Sequence, residues 1–170
     1  VGSSETPGAQ QLLAGLEIVQ VAVVVHDLDA YAARHTALVG GGPWRIYEFG
    51  PHMMGRYEHR GAPATGRTLL ALNDARPQVE LLEPLGGSSP HQEWLDRHGE
   101  GFHHVGAIVD SVDAVTKAAA SQGIGVISSG EAFGLDGSGK FAYLDTGAAL
   151  GMIVEVFEPP TGLGEPLRRL

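Results

Sequence analysis

The chain repeats itself, and the repeat limits what it can fold into. IVQVAVVVHDLDA, from position 18, and FHHVGAIVDSVDA, from position 102, align at a shift of 84 positions. That shift places Gln20 on His104, Val21 on Val105, Val25 on Val109, Asp29 on Asp113 and Ala30 on Ala114. VELLEP and VEVFEP align at a shift of 75, which matches Glu80 to Glu155 and Pro84 to Pro159. Repetition of a whole supersecondary unit predicts two copies of one module sharing a sheet about a pseudo-twofold axis.

Local signals divide each half into β-α-β-β-β. A strand at 17–25 leads into a helix capped by Asp27 and stopped by the glycines at 40–42. PWRIYEFG, RTLLALND and QVELLEP read as strands, and MGRYEHRG as a further strand or loop. SSPHQEWLDRHG is a connecting helix, with Ser89 as cap, Pro90 first, Gln92 completing a capping box and Gly99 as stop. Another strand follows, then a helix capped by Ser111, then the strands GVISSGEAF, KFAYLD and GMIVEVFEP. The expected class is α+β, with paired βαβββ modules forming one curved mixed sheet. The expected divisions are a flexible segment at 1–15, a first module at 16–86, a linker helix at 87–100, a second module at 101–160 and a tail at 161–170.

Composition removes several functions. The net charge is −9, from 11 basic and 20 acidic residues, with no basic cluster, which argues against nucleic acid and anionic membranes as partners. There is no cysteine, so a metal would have to be held by oxygen and imidazole. No membrane-length apolar run and no signal pattern at the start are visible, and the expected location is the cytoplasm.

Strand parity then places the polar side chains. Val19, Val21, Val23 and Val25 share the face that packs under a helix, and Gln20 lies on the other. In the equivalent strand His103, Val105, Ala107 and Val109 face the helix and His104 points away. Glu80 and Glu155 likewise stand opposite their aliphatic neighbours. A carboxylate in an apolar strand needs water or a cation. Either these four side chains lie on a solvated face, or the faces curl together and Gln20, Glu80, His104 and Glu155 bind one divalent ion. Zn, Ni, Co, Mn and Mg all suit one imidazole among oxygen donors.

IVQVAVVVHDLDA, VELLEPL, GEGFHHVGAIVDSVDA and IVEVFEPP, in this order, resemble the four signature segments of the vicinal oxygen chelate superfamily. That group includes glyoxalase I, methylmalonyl-CoA epimerase, extradiol dioxygenases and bleomycin-resistance proteins. The resemblance covers roughly residues 16–160. It implies a curved sheet enclosing a metal held by Gln20, Glu80, His104 and Glu155, a set similar to that of eukaryotic glyoxalase I. SPHQEWLDRHGEGFHHVG is closer to methylmalonyl-CoA epimerase. That enzyme usually has His in place of Gln20 and Gln in place of Glu80. Its PEQG-like stretch is replaced here by EFGPHMMG, and its HPK-like turn by LDTGAALG.

The activity implied is metal-assisted proton abstraction next to a carbonyl, by an epimerase, isomerase or lyase, with Glu155 and Glu80 as acid/base candidates. The alternatives are a non-catalytic drug-binding module and an extradiol dioxygenase; the latter needs a second histidine where Gln20 stands. WRIYEFGPHMMGRYEHR is either ordinary packing or a pocket wall contributed by Trp44, Tyr47, Met54, Tyr57 and Arg60. Glu48 is a candidate second carboxylate, and Lys140 a candidate partner for a substrate anion. Of the other histidines, His103 reads as packing, and His26, His35, His91 and His98 as solvated. Glu83 and Glu158 read as exposed strand ends. Open sheet edges predict a homodimer.

Overall fold

The computed structural model describes residues 13–170. The flexible segment expected at 1–15 lies outside this range except for its last three residues. Those form a turn in which Leu16 N donates to the Leu13 carbonyl, and both leucines pack on the second helix core.

The strands are β1 (Ile18–Val24), β2 (Arg45–Phe49), β3 (Arg56–His59), β4 (Ala62–Pro63), β5 (Thr68–Leu72), β6 (Gln78–Pro84), β7 (Gly101–Ile108), β8 (Val126–Phe133), β9 (Gly139–Leu144), β10 (Ile153–Glu158) and β11 (Arg168–Arg169). The helices are α1 (Leu28–Val39), α2 (Pro90–His98), α3 (Val112–Ser121) and the short α4 (Gly147–Leu150). All the strands join one mixed sheet in the order β11-β2-β5-β6-β1-β7-β10-β9-β8-β3-β4. The antiparallel pair β1 and β7 lies at its centre, with β6 parallel to β1 and β10 parallel to β7. This is the paired-module, α+β architecture that the repeat predicts.

Each module packs its helix on the convex face. Val25, Ile46, Ala71 and Leu81 pack with Leu28 and Ala32 of α1. Val109, Ala142, Leu144 and Val156 pack with Val112 and Ala119 of α3. The caps Asp27, Ser89 and Ser111 accept from Ala30 N, Gln92 N and Ala114 N. Only half of the expected capping box forms, because the Gln92 amide turns to Asp96. Glu83 and Glu158 are not idle strand ends. Glu83 accepts from Leu28 N at 2.8 Å and Glu158 from Val112 N at 2.7 Å, so each module uses its terminal carboxylate to satisfy the start of its own helix.

Three features depart from a simple doubling. The β3–β4 hairpin leaves the first half and pairs with β8 of the second, where Arg60 and His59 bind Glu93 of α2. Linker helix α2 is more than a connector: Trp94 and Leu95 press on Ala22, Val24 and Leu82 and plug one end of the cup. At the other end the tail straps the mouth. Its Gly162 carbonyl accepts from Leu135 N, its Leu163 bridges the two concave-side clusters, and its last residues pair with β2. Both sheet edges end in two-residue strands, so the exposed-edge reason for a homodimer loses force among the described residues.

Candidate metal centre

Strand register places the candidate ligands in two adjacent rows across the concave face. One row runs Glu80, Ala22, His104, Ile153; the next runs Gln78, Gln20, Gly106, Glu155, Tyr143. In each row a small residue separates two polar side chains, and Ala22 and Gly106 are equivalents in the repeat. A Cβ on Gly106 would lie 2.9 Å from Gln20 Oε1 and 3.1 Å from the Phe157 ring, so glycine makes the room that Gln20 occupies.

One oxygen each from Glu80 and Glu155 and one nitrogen of His104 lie within 4.8 Å of one another. His104 Nε2 is 3.3 Å from Glu80 Oε2 and 3.2 Å from Glu155 Oε2. All three residues are buried, His104 completely. Glu80 Oε2 and His104 Nε2 face each other without a well-aligned hydrogen bond. Buried polar atoms left without partners are costly. Two carboxylates facing one imidazole are the hard donors that a divalent cation takes, so the residues fit such an ion. Gln20 faces the same cavity, with its amide nitrogen donating to Gln78 Oε1 at 3.0 Å. All four residues come from one chain, so the cup needs no partner's strand.

The local electrostatics are strong. Burial is the largest influence on Glu80 and raises its pKa, against the pull of His104. Burial alone would lower His104, but Glu155 and Glu80 outweigh it and hold the imidazole up at about 9. Burial drives His91 down to about 3 and His103 well below the ordinary histidine range, so both rings are neutral.

A second layer of residues was not legible as such. His103 is not on the helix face. The β1–β7 register passes from Ala22 opposite His104 to Val23 opposite Phe102, leaving His103 as the extra residue of a β-bulge. Its Nδ1 lies 2.8 Å from His104 Nδ1, and its ring stacks edge-on against His91, Trp94 and Tyr143. His91 is buried rather than solvated, with Nδ1 3.1 Å from Thr68 Oγ1 and Nε2 3.2 Å from the Tyr143 hydroxyl. Burial, with Glu155 and Glu80 nearby, pushes the Tyr143 hydroxyl well above the ordinary phenol range, so it stays protonated beside the carboxylates. Tyr143 shares the parity of Phe141 in KFAYLD, a signal visible in the sequence; nothing local marks His91.

The aromatic segment divides by parity. Trp44 is buried beneath α1, with its indole bonded to Thr36, and does not reach the cup. Glu48, on the same outward side of β2, pairs with Arg67 and so offers no second carboxylate to the cavity. Tyr47 faces inward but packs on Leu70 and Leu72 short of the cavity, which Met54 and Tyr57 do line. Arg60 is committed to Glu93, and Lys140 to Asp113 and Glu131, both outside the cup. The cavity beside the carboxylates has a volume of about 250 Å³, with Phe133, Phe141 and Phe157 in its walls and Leu163 of the strap over it.

A curled sheet of two βαβββ modules, with carboxylates and an imidazole from equivalent strands aimed into one cup, defines the glyoxalase-like class. Residues 19–143 match the model of the Glyoxalase/Bleomycin resistance protein/Dioxygenase superfamily, and the chain belongs to that family. It is 30% identical over 115 residues to the ethylmalonyl-CoA/methylmalonyl-CoA epimerase of Cereibacter sphaeroides, covering 65% of this chain and 74% of that protein. It is 29% identical over 82 residues to the uncharacterized protein YqjC of Bacillus subtilis, a match that spans 48% of this chain and 58% of that protein. A solved methylmalonyl-CoA epimerase from Mycobacterium tuberculosis superposes with a TM-score of 0.59 at 23% identity, over 88% of this chain and 90% of that one. The hypothetical protein BH1468 from Bacillus halodurans gives 0.64 at 19% identity, over 86% and 96%. At these identities the structural likeness speaks for the fold.

Proposed function

We propose that this protein is a metal-dependent epimerase, isomerase or lyase that moves a proton next to a substrate carbonyl. The observation that carries the reading is the buried Glu80–His104–Glu155 group, whose facing atoms lack well-aligned hydrogen bonds, at the wall of an apolar cavity. Kinship with an acyl-CoA epimerase supports the reaction class. A divalent ion held by Glu80, His104, Glu155 and Gln20 would supply Lewis-acid stabilisation of charge developing on the carbonyl oxygen.

The chain's own groups handle the proton. A carboxylate takes it from the carbon beside the carbonyl and returns it to the opposite face of that carbon or to its neighbour. Glu155 and Glu80 are the candidates. Either would serve by loosening from the ion as it takes up the proton. Tyr143, beside Glu155, is positioned by His91, which Thr68 holds in turn. The aromatic walls and the Leu163 strap exclude water that would quench the carbanion.

The test is exchange in D₂O. Metal-loaded protein should introduce deuterium beside the carbonyl of at least one member of a panel of 2-substituted acyl thioesters, hemithioacetals and hydroxyketones, read by NMR. No wash-in and no turnover across the panel would replace this reading with a binding module.

A further inference from the structure

The cavity carries its own statement about charge. Among the described residues that line it, Glu80 and Glu155 are the charged side chains. Neither Lys nor Arg lines it, and residues 1–12 contain none to add. Arg67, beside Gly50 at the rim, gives its Nε–H to Glu48 at 2.7 Å. Two carboxylates and a neutral imidazole bring a divalent ion to zero net charge, so nothing remains in the site to offset an anionic substrate. A buried charge without a partner is strongly disfavoured.

The walls, in turn, are built to hold rings. Phe49 meets Phe133 at 5.5 Å between centroids, Phe133 meets Phe141 at 6.0 Å, and Tyr57 meets Phe141 at 6.3 Å. The neighbouring strands are hollowed to seat them. A Cβ on Gly130 would fall 2.4 Å from Phe141 and 2.7 Å from Met54 Sδ, and one on Gly139 would fall 2.6 Å from Phe133. Such offset and edge-on arrangements receive a further aromatic or branched apolar group well.

We infer that the site selects a compact, uncharged substrate with two adjacent oxygens for the metal and an aromatic or branched apolar substituent for the wall, and that it rejects carboxylates and acyl-CoA anions. The inference rests on the proposed metal-dependent reading and names its substrate class. It separates this chain from the acyl-CoA epimerases it resembles.

The probes are 2-hydroxyacetophenone and benzoylformate, which share a phenyl ketone and differ in whether the adjacent oxygen belongs to an alcohol or a carboxylate. Free in solution benzoylformate is the stronger chelator, so a reversed order reports on the protein. Calorimetric titration of nickel-loaded protein should show the hydroxyketone binding roughly tenfold or more tighter than benzoylformate or methylmalonyl-CoA. Met54→Arg, which puts a cation on the wall, should shrink or invert that ratio. Equal or tighter binding of either anion overturns the inference, as does no saturable binding of the hydroxyketone or a ratio unmoved by Met54→Arg. Metal retention is measured separately. If none is retained the catalytic reading falls, and the same order measured on metal-free protein still decides the charge selection.

Discussion

His103 and His104 are chain neighbours whose Nδ1 atoms lie 2.8 Å apart, a contact that a regular strand forbids because adjacent side chains leave opposite faces. The bulge at His103 permits it. Burial keeps His103 neutral, so one of its ring nitrogens can accept, and once His104 gives up its extra proton a hydrogen bond from its Nδ1 to His103 leaves the Nε2 lone pair facing Glu80 and Glu155. His103→Leu, which keeps volume and removes the acceptor, should weaken metal binding by roughly ten- to hundredfold. His103→Asn, whose side-chain oxygen can accept, should recover part of the loss. Chelator competition measures both, and unchanged affinity in His103→Leu would remove the residue from this role.

Gly106 holds space for Gln20. In Gly106→Ala the new methyl meets the far end of the Gln20 side chain, which can turn away, and also Gln20 Cβ and the Phe157 ring at 3.1 Å, which must give slightly, so the fold should survive with a fall in thermal stability. Metal affinity should drop together with it. Full retention of affinity would show that Gln20 contributes nothing to the centre.

Metal uptake should expel a proton. The imidazole of His104 is held up at about 9 by Glu155 and Glu80, and a ligating nitrogen must be unprotonated. Below that pH, binding should therefore release about one proton per ion, and apparent affinity should rise with pH until His104 is neutral. Calorimetry in buffers of different ionisation enthalpy reads the proton count directly. A count of zero at pH 7 contradicts the assignment of His104.

Acid should loosen the clasp between the β3–β4 hairpin and α2. Glu93 is lowered from 4.5 to about 2, first by its hydrogen bond with Arg60 and then by His59 and Arg97. Because the folded pKa is depressed, its contribution is full above the unfolded value of 4.5 and disappears as pH falls through 2. The thermal stability gap between wild type and Glu93→Gln should be widest near neutrality and close over that acid window. A gap independent of pH would mean the carboxylate's charge is not what matters.

What the sequence made legible was whatever alternation controls. The period of two puts Gln20, Glu80, His104 and Glu155 on the concave face, and the same rule sends Trp44 and Glu48 outward, a consequence that the aromatic density of their segment obscures. The bulge at His103, the crossing of the β3–β4 hairpin to β8 and the burial of His91 by α2 depend on pairings between distant segments. Nothing in a short window encodes them. The helix-capping roles of Glu83 and Glu158 lie between these cases. Their repetition was visible, but their partners, Leu28 N and Val112 N, became apparent only once each helix packed back on its own module.

The most direct measurement of the central claim is metal stoichiometry combined with X-ray absorption on nickel- or cobalt-loaded protein. The account predicts one ion per chain with a single imidazole among oxygen donors, and a marked loss of occupancy in Glu80→Gln and Glu155→Gln proteins that remain folded. Binding that fails to saturate at one ion, a shell with no imidazole, or occupancy unchanged in both variants would contradict it.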